Sequence, residues 1–207
     1  MSFVTFEGVE GSGKSTQLHL AAARLRAAGR AVRTTREPGG TPIGEAIRAL
    51  LVPPEEDTLD PVAEWLLYEA DRRQHVRDVL KPALARGEIV LCDRYSDATE
   101  AYQLAGRGVD PEAIARVDAM ARDGLLPDLT LLYDMDPEAG IARAVARDGG
   151  RRGRFEAAAL DFHRRVREAY LAIARREPGR VVVIDAARNP EQIFEDTWRV
   201  LQARIPS

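Results

Sequence analysis

Gly8-Val9-Glu10-Gly11-Ser12-Gly13-Lys14-Ser15 satisfies the pattern G-x-x-x-x-G-K-[ST] in full. Its glycines let the backbone wrap an anion so that several N–H groups point inward, and a helix that starts there adds its positive end. Lys14 can then bridge the β- and γ-phosphate oxygens of a nucleoside triphosphate, and the Ser15 hydroxyl can ligate magnesium. The stretch from Gly8 to Thr16 is the candidate nucleotide-holding segment. Lysine occurs only at Lys14 and Lys81 in a chain rich in arginine, which makes the retained Lys14 worth noticing.

A second set of groups lies at the end of the apolar run Ile89-Val90-Leu91-Cys92, where Asp93 and Arg94 follow. Asp93 can hold magnesium through water, so Ser15 and Asp93 are the candidate metal ligands. Many P-loop ATPases carry a glutamate after this acid to polarise water. Arginine in that place suits transfer to an anionic acceptor better than hydrolysis, because Arg94 can neutralise acceptor and transferring phosphates. The alternative for the two is a buried ion pair at a strand end. GTPases read guanine with N-K-x-D, and neither lysine lies in such a stretch.

The elements that must position these groups alternate short β-rich runs with longer helical patterns, the signature of βαβ units around a parallel sheet. Strands are expected at Phe3–Phe6, Ala31–Thr35, Ile89–Asp93, Leu129–Tyr133 and Val181–Ile184. Helices are expected at Gln17–Ala28, Ile43–Leu51 and Pro61 to about Arg86, with Pro82 ending or kinking the last. Further helices should cover Asp97–Leu104, Pro111–Arg122, Pro137 to near Asp148, Phe155–Arg176 and Pro190–Arg204. Five near-continuous apolar strands imply a sheet buried on both faces. The expected fold class is three-layer α/β, a P-loop kinase fold with a five-stranded parallel sheet surrounded by helices.

At 207 residues, 45% apolar and 30% charged, the chain suits one domain over 1–207 with a small lid. A formal net charge of -3 gives no electrostatic reason to expect a nucleic-acid polymer as partner. The single Cys92 excludes a disulfide framework and reads as a small buried hydrophobe. No stretch approaches the roughly 18 uninterrupted apolar residues of a membrane span, and no leader is evident at the start, so a reduced cytoplasm is expected.

Beyond the phosphate loop, the chain resembles thymidylate kinases from Phe6 to about Pro190. The marks are Phe6-Glu7-Gly8-Val9-Glu10-Gly11, Thr35-Arg36-Glu37-Pro38-Gly39-Gly40-Thr41, Ala70-Asp71-Arg72 with Gln74-His75-Val76, and Lys81-Pro82-Ala83-Leu84. Asp93-Arg94-Tyr95, Ala101-Tyr102-Gln103 and Gly106-Arg107-Gly108 complete the set. Each is modest alone; their order and spacing together are specific.

The resemblance implies magnesium and ATP as donor, thymidine monophosphate (dTMP) as acceptor, and a homodimer. It gives Arg72 as donor to thymine O4, Tyr68 as the aromatic stacked on the base, and Gln103 as the amide pairing with thymine N3–H and its neighbouring carbonyl. Tyr68 and Arg72 stand four apart on one helix face, which lets both reach one ligand; a core role is the alternative for Tyr68. Thr99 would support the base, Tyr102 would crowd the sugar's 2′ position, and Glu10 would lie near the 3′-hydroxyl. Arg48 and Arg94 would clamp the acceptor phosphate, with Glu37 orienting an arginine; for Arg48 the alternative is a solvated helix face. A base-edge site of this kind should exclude cytidine monophosphate firmly. The thymine methyl, worth only about 1–3 kcal/mol, gives partial discrimination against deoxyuridine monophosphate.

There are departures. Some relatives carry an arginine in the loop where Gly11 stands, and here the basic lid at about 147–155 would supply that charge. Its Arg147, Arg151, Arg152 and Arg154 flank Gly149, Gly150 and Gly153. Arg154 is the favoured arginine finger; a solvated loop is the alternative for the others. Arg143 resembles an arginine packed on adenine, with Ala186-Ala187-Arg188 on the other side. Glu69 and Arg73 stand where the family often has alanine, and their spacing suggests a surface pair. Ala98 stands where serine is common. Two other readings stay open: another P-loop small-molecule kinase, acting on adenylate, cytidylate or shikimate, and a non-catalytic ATP-binding module.

Overall fold

The computed structural model describes residues 2–52, 59–147, 149 and 160–205, with the side chain of residue 147 excepted. Strand β1 (Ser2–Gly8) runs into the phosphate loop and then α1 (Lys14–Ala27). Next come β2 (Val32–Arg36), α2 (Pro42–Leu51) and α3 (Pro61–His75), whose helical path continues through a π-helical turn at Val76–Leu80 into α4 (Lys81–Ala85). The expected helix thus spans its predicted length. Pro82 does not end it, because the missing N–H falls where the bonding pattern has already shifted.

Strand β3 (Ile89–Asp93) leads to α5 (Ser96–Thr99), a π-helical stretch at Glu100–Gly106 and α6 (Pro111–Arg122). Then follow β4 (Leu129–Asp134), α7 (Pro137–Arg147), α8 (Leu160–Arg176), β5 (Val181–Asp185) and α9 (Pro190–Arg204). The first residues of the helix expected from Phe155 lie outside the described residues. Five helices among the described residues open on one device: Thr41, Asp60, Asp110, Asp136 and Asn189 cap free N–H groups, and a proline follows in each case at the first helical position.

The strands form one parallel sheet in the order β2-β3-β1-β4-β5. Helices cover both faces. Tyr133 places its hydroxyl on Thr197 of α9, whereas Glu7, paired with its neighbour Leu132, points the other way onto Tyr170 of α8. The inner strands β1, β3 and β4 are buried almost throughout, as the apolar runs predict. The edge strands differ from that expectation: Arg33, Arg36, Val183 and Asp185 are not buried, since an edge strand has a neighbour on one side only. Cys92 is fully buried with Phe3, Val76, Leu80 and Val90, and burial pushes its thiol pKa up.

Candidate active site

Parallel order puts the C-terminal ends of β1 and β3 side by side, and Phe6 pairs with Asp93. The phosphate loop and the Asp93-Arg94 pair therefore meet at one end of the sheet, outside the carboxyl ends of the strands. Gly8, Gly11 and Gly13 all have positive φ, as the wrapped backbone requires. Gly11 is held more tightly still: a Cβ there would collide with the carbonyl oxygen of Gly140 on α7. No side chain fits at position 11, which gives a steric reason for the absence of a loop arginine.

The Lys14 ammonium lies within this loop, donating to the Val9 carbonyl at 2.8 Å and to Ser12 Oγ at 3.5 Å. Burial, and then the Arg94 guanidinium, draw its pKa down to about 8, against the pull of Glu10, Asp93 and Glu7. It is a cation short of anionic partners. Ser15 Oγ donates directly to Asp93 Oδ2, so the two candidate metal ligands do lie together. A hydroxyl and a carboxylate form an all-oxygen set, which suits a hard cation such as magnesium that keeps waters and phosphate oxygens as its other ligands.

Lys14, Ser15, Asp93, Arg94 and Arg143 line a cleft of about 750 Å³. A neighbouring cavity of about 460 Å³ runs along Gly11, Thr16 and Arg143 to Ala187 and Arg188. Arg143 donates to the Ala186 and Ala187 carbonyls at 2.9 and 3.0 Å, which fixes it against the segment expected to face it across a base.

On the acceptor side, all nine residues expected to bind substrate line a single cavity of about 110 Å³. It shares Glu10, Glu37, Arg48 and Arg94 with the large cleft, so these four stand at the junction. Arg94 has a left-handed backbone with φ 70°. Its guanidinium donates to Glu10 at 2.7 Å and to the Tyr102 and Tyr170 hydroxyls at 3.1 and 3.3 Å, and lies 4.7 Å from the Tyr102 ring centre. Arg94 thus belongs to an ion pair, but with Glu10 rather than Asp93. Burial pushes the Tyr102 hydroxyl up to about 12, leaving it a neutral donor and acceptor at physiological pH. Arg48 is half-buried rather than solvated, and donates to the Pro38 carbonyl at 3.1 Å. Tyr68 is half-buried at the cavity wall.

Arg72 is 2% exposed and heavily engaged. Its Nε donates to Glu37 at 3.0 Å, and its Nη1 meets Glu69, Thr99 and Asp118 at 2.8, 2.9 and 3.1 Å. Burial works against its charge, but Glu69, Glu37 and Asp118 outweigh it and hold the guanidinium above its usual pKa. Glu37 is itself held by His75 Nδ1 at 2.9 Å, and His75 Nε2 lies 2.6 Å from Thr35 Oγ1. The arginine that Glu37 orients is therefore Arg72. Thr99, expected to support the base, uses its hydroxyl on Arg72.

One expectation fails outright. Glu69 and Arg73 do not pair: Glu69 is buried and bound to Arg72, while Arg73 is exposed and bound to Asp123 at 3.1 Å. The i, i+4 spacing was compatible with a pair, but the buried Arg72 guanidinium binds Glu69 at 2.8 Å and holds it inward. Arg151, Arg152 and Arg154, and the side chain of Arg147, all expected in the basic lid, lie outside the described residues.

Sequence reasoning missed Glu7, Tyr170, His75, Asp118 and Glu64 as members of the site. Glu7 is fully buried and bridges the Tyr95 N–H (2.7 Å) and the Tyr170 hydroxyl (2.8 Å). Burial, aided by Asp97, raises its pKa to about 8, with Arg94 opposing. The one available signal was a glutamate inside an apolar strand, a position that demands polar partners.

Comparison with known proteins bears directly on this arrangement. The sequence model of the family described as thymidylate kinase matches residues 6–197. A thymidylate kinase of Solidesulfovibrio magneticus is 51% identical over 204 residues, covering 96% of this chain and 98% of its own. One from Deinococcus radiodurans is 49% identical over 202 residues, covering 98% and 97%. The crystal structure of thymidylate kinase from Ehrlichia chaffeensis superposes with a TM-score of 0.79 at 34% identity, over 97% of this chain and 98% of that one. Family match, full-length relatives and a common fold agree with the two joined cavities: this chain belongs to the thymidylate kinase family.

Proposed function

We propose that this chain transfers the γ-phosphoryl group of ATP to the 5′-phosphate of dTMP, giving ADP and thymidine diphosphate for dTTP synthesis. One observation carries the reading. A phosphate-loop cleft and a base-sized cavity open into each other at Arg94 and Glu10, so two anionic ligands would meet end to end. An ATP-binding module without transfer has no use for the second seat.

Lys14 receives the β- and γ-phosphates with the inward amides of Gly8 to Thr16, and trades its loop partners for phosphate oxygens. Magnesium, when bound, would be held by Ser15 and Asp93 and would neutralise charge on the donor phosphates. Arg94 and Arg48 seat the acceptor phosphate at the junction. That phosphate is already ionised, so no general base is needed, and positioning with charge neutralisation carries the catalysis. Arg72 and Gln103 meet the thymine edge, Tyr68 and Thr99 line its seat, and Tyr102 and Glu10 border the sugar. Arg154, in the basic segment at about 147–155, serves as the arginine finger, and Arg143 packs on adenine.

Three further points belong to this reading. The chain acts as one domain over 1–207, in the cytoplasm; among the described residues no helix is long and apolar enough to cross a membrane. Two copies associate as a homodimer, a view supported by exposed Ile43 and Leu50 on α2 and Val62 and Leu66 on α3. A coupled ADP-release screen across nucleoside monophosphates with magnesium ATP tests the activity. Release should depend on acceptor and be greatest with dTMP; equal release with and without every acceptor would defeat the proposal.

A further inference from the structure

Gln103 is buried at the wall of the acceptor cavity, and an amide there has two faces. Presented oxygen-first, it accepts from a base that carries N3–H. Presented nitrogen-first, it donates to a base whose N3 is an acceptor, as in cytosine. A free glutamine flips between the two at little cost, so the cavity reads a base only if something fixes the amide.

Glu64 supplies that restraint. It lies on the first turns of α3 and is 1% exposed. Its Oε1 accepts from Gln103 Nε2 at 2.9 Å, and its Oε2 accepts from Arg107 Nη2 at 3.1 Å. Arg107 in turn lies 5.3 Å from the Phe162 ring centre, which helps to hold its guanidinium in place. A carboxylate has acceptors and no donor. It can face the nitrogen of the Gln103 amide but repels the oxygen. Gln103 Oε1 has no hydrogen-bond partner among the described residues and is the end left for the cavity.

We infer that Glu64 is a positioning residue for base selection: by locking the Gln103 amide oxygen-first, it makes the cavity accept bases with an N3–H and reject those with a bare N3. It touches no substrate and acts through Gln103. The inference rests on the proposed role of Gln103 at the base edge. It assigns the direction of that contact to a residue outside the cavity lining.

The test compares kcat/KM for dTMP with that for deoxycytidine monophosphate in wild type, Glu64→Gln, Glu64→Asp and Gln103→Leu. An amide at position 64 offers either a donor or an acceptor, so Gln103 is no longer locked. In Glu64→Gln the dTMP preference should fall about 10- to 100-fold, the scale of one buried polar group left wrongly paired. Glu64→Asp keeps an acceptor-only group and should retain more of the preference than Glu64→Gln, which mere loss of packing would not produce. If Gln103→Leu collapses the preference and Glu64→Gln leaves it intact, this inference is overturned and the base-site reading stands. If neither moves it, both fall. Should Glu64→Gln not fold, hydrogen exchange of the Gln103 side-chain amide in the wild-type protein decides, with its signal assigned by its loss in Gln103→Leu. Slow exchange before any nucleotide is added is expected, and exchange as fast as that of an exposed glutamine would overturn the lock.

Discussion

The two seats proposed for donor and acceptor are built on opposite plans. The donor seat is made of backbone: a loop of consecutive residues, a helix start, and a lysine whose own partners are the Val9 carbonyl and the Ser12 hydroxyl. The acceptor seat is made of side chains brought from far apart, with Arg72 joined to Glu37, Glu69, Thr99 and Asp118. A seat of amides comes with the turn and contributes little to stability by itself. A seat of buried charges is also part of the core, and damage to it should be felt in folding as well as in function.

The hardest blow to this contrast would come from the lid. Arg154→Ala should lower kcat about 10³- to 10⁵-fold if it completes the donor seat in cis; an unchanged turnover number would remove it from the mechanism. Arg72→Met should destabilise the fold by about 3–5 kcal/mol in chemical denaturation, because Glu37, Glu69 and Asp118 would lose a buried counter-charge. Lys14→Ala should cut kcat about 10²- to 10³-fold yet leave the denaturation midpoint no lower than wild type, since it removes a buried, underpaired ammonium. A clear loss of stability there would erase the distinction between the seats.

The smallest effect is one of pH. In the free protein Lys14 has its pKa lowered to about 8, and phosphate binding selects the charged ammonium. Above that pH, binding must be coupled to proton uptake, so affinity falls as pH rises. The KM for magnesium ATP should therefore rise about tenfold between pH 7 and pH 9 at saturating acceptor. A flat KM over that range would mean the ammonium is not the group phosphate recruits.

The same contrast explains what could be read from the residues alone. The strand-loop-helix around Lys14 was legible because its information is local: glycine spacing, an apolar run before it and a helical period after it. Asp93 and Arg94 were legible from their place at a strand end, and the nearness of the candidate ligands Ser15 and Asp93 required only that β1 and β3 be neighbours. The acceptor residues came from resemblance, and of what sustains them only Glu37 came with it. Nothing in the spacing of Glu69, Arg72 and Arg73 says which faces inward; Arg72 finds Glu37, Thr99 and Asp118 on other elements, and none of these can be read from the helix itself. Glu7 and Tyr170 stand 163 positions apart, a separation no periodic pattern spans. The edge strands were read as too buried because an apolar run does not reveal whether it has one neighbour or two.

The abutment of Gly11 on Gly140 has a consequence for how such a protein can change. Two stretches remote in the chain meet main chain to main chain, with no side chain between them to yield. A methyl group at position 11 would push α7 away from the loop, and α7 is the helix that leads into the basic segment. Moving a cation into the loop by mutation would therefore disturb the helix that precedes the segment proposed to supply the cations. Trading one arrangement for the other takes coordinated substitutions, and any lone intermediate would lose the fit of the old design before gaining the charge of the new one.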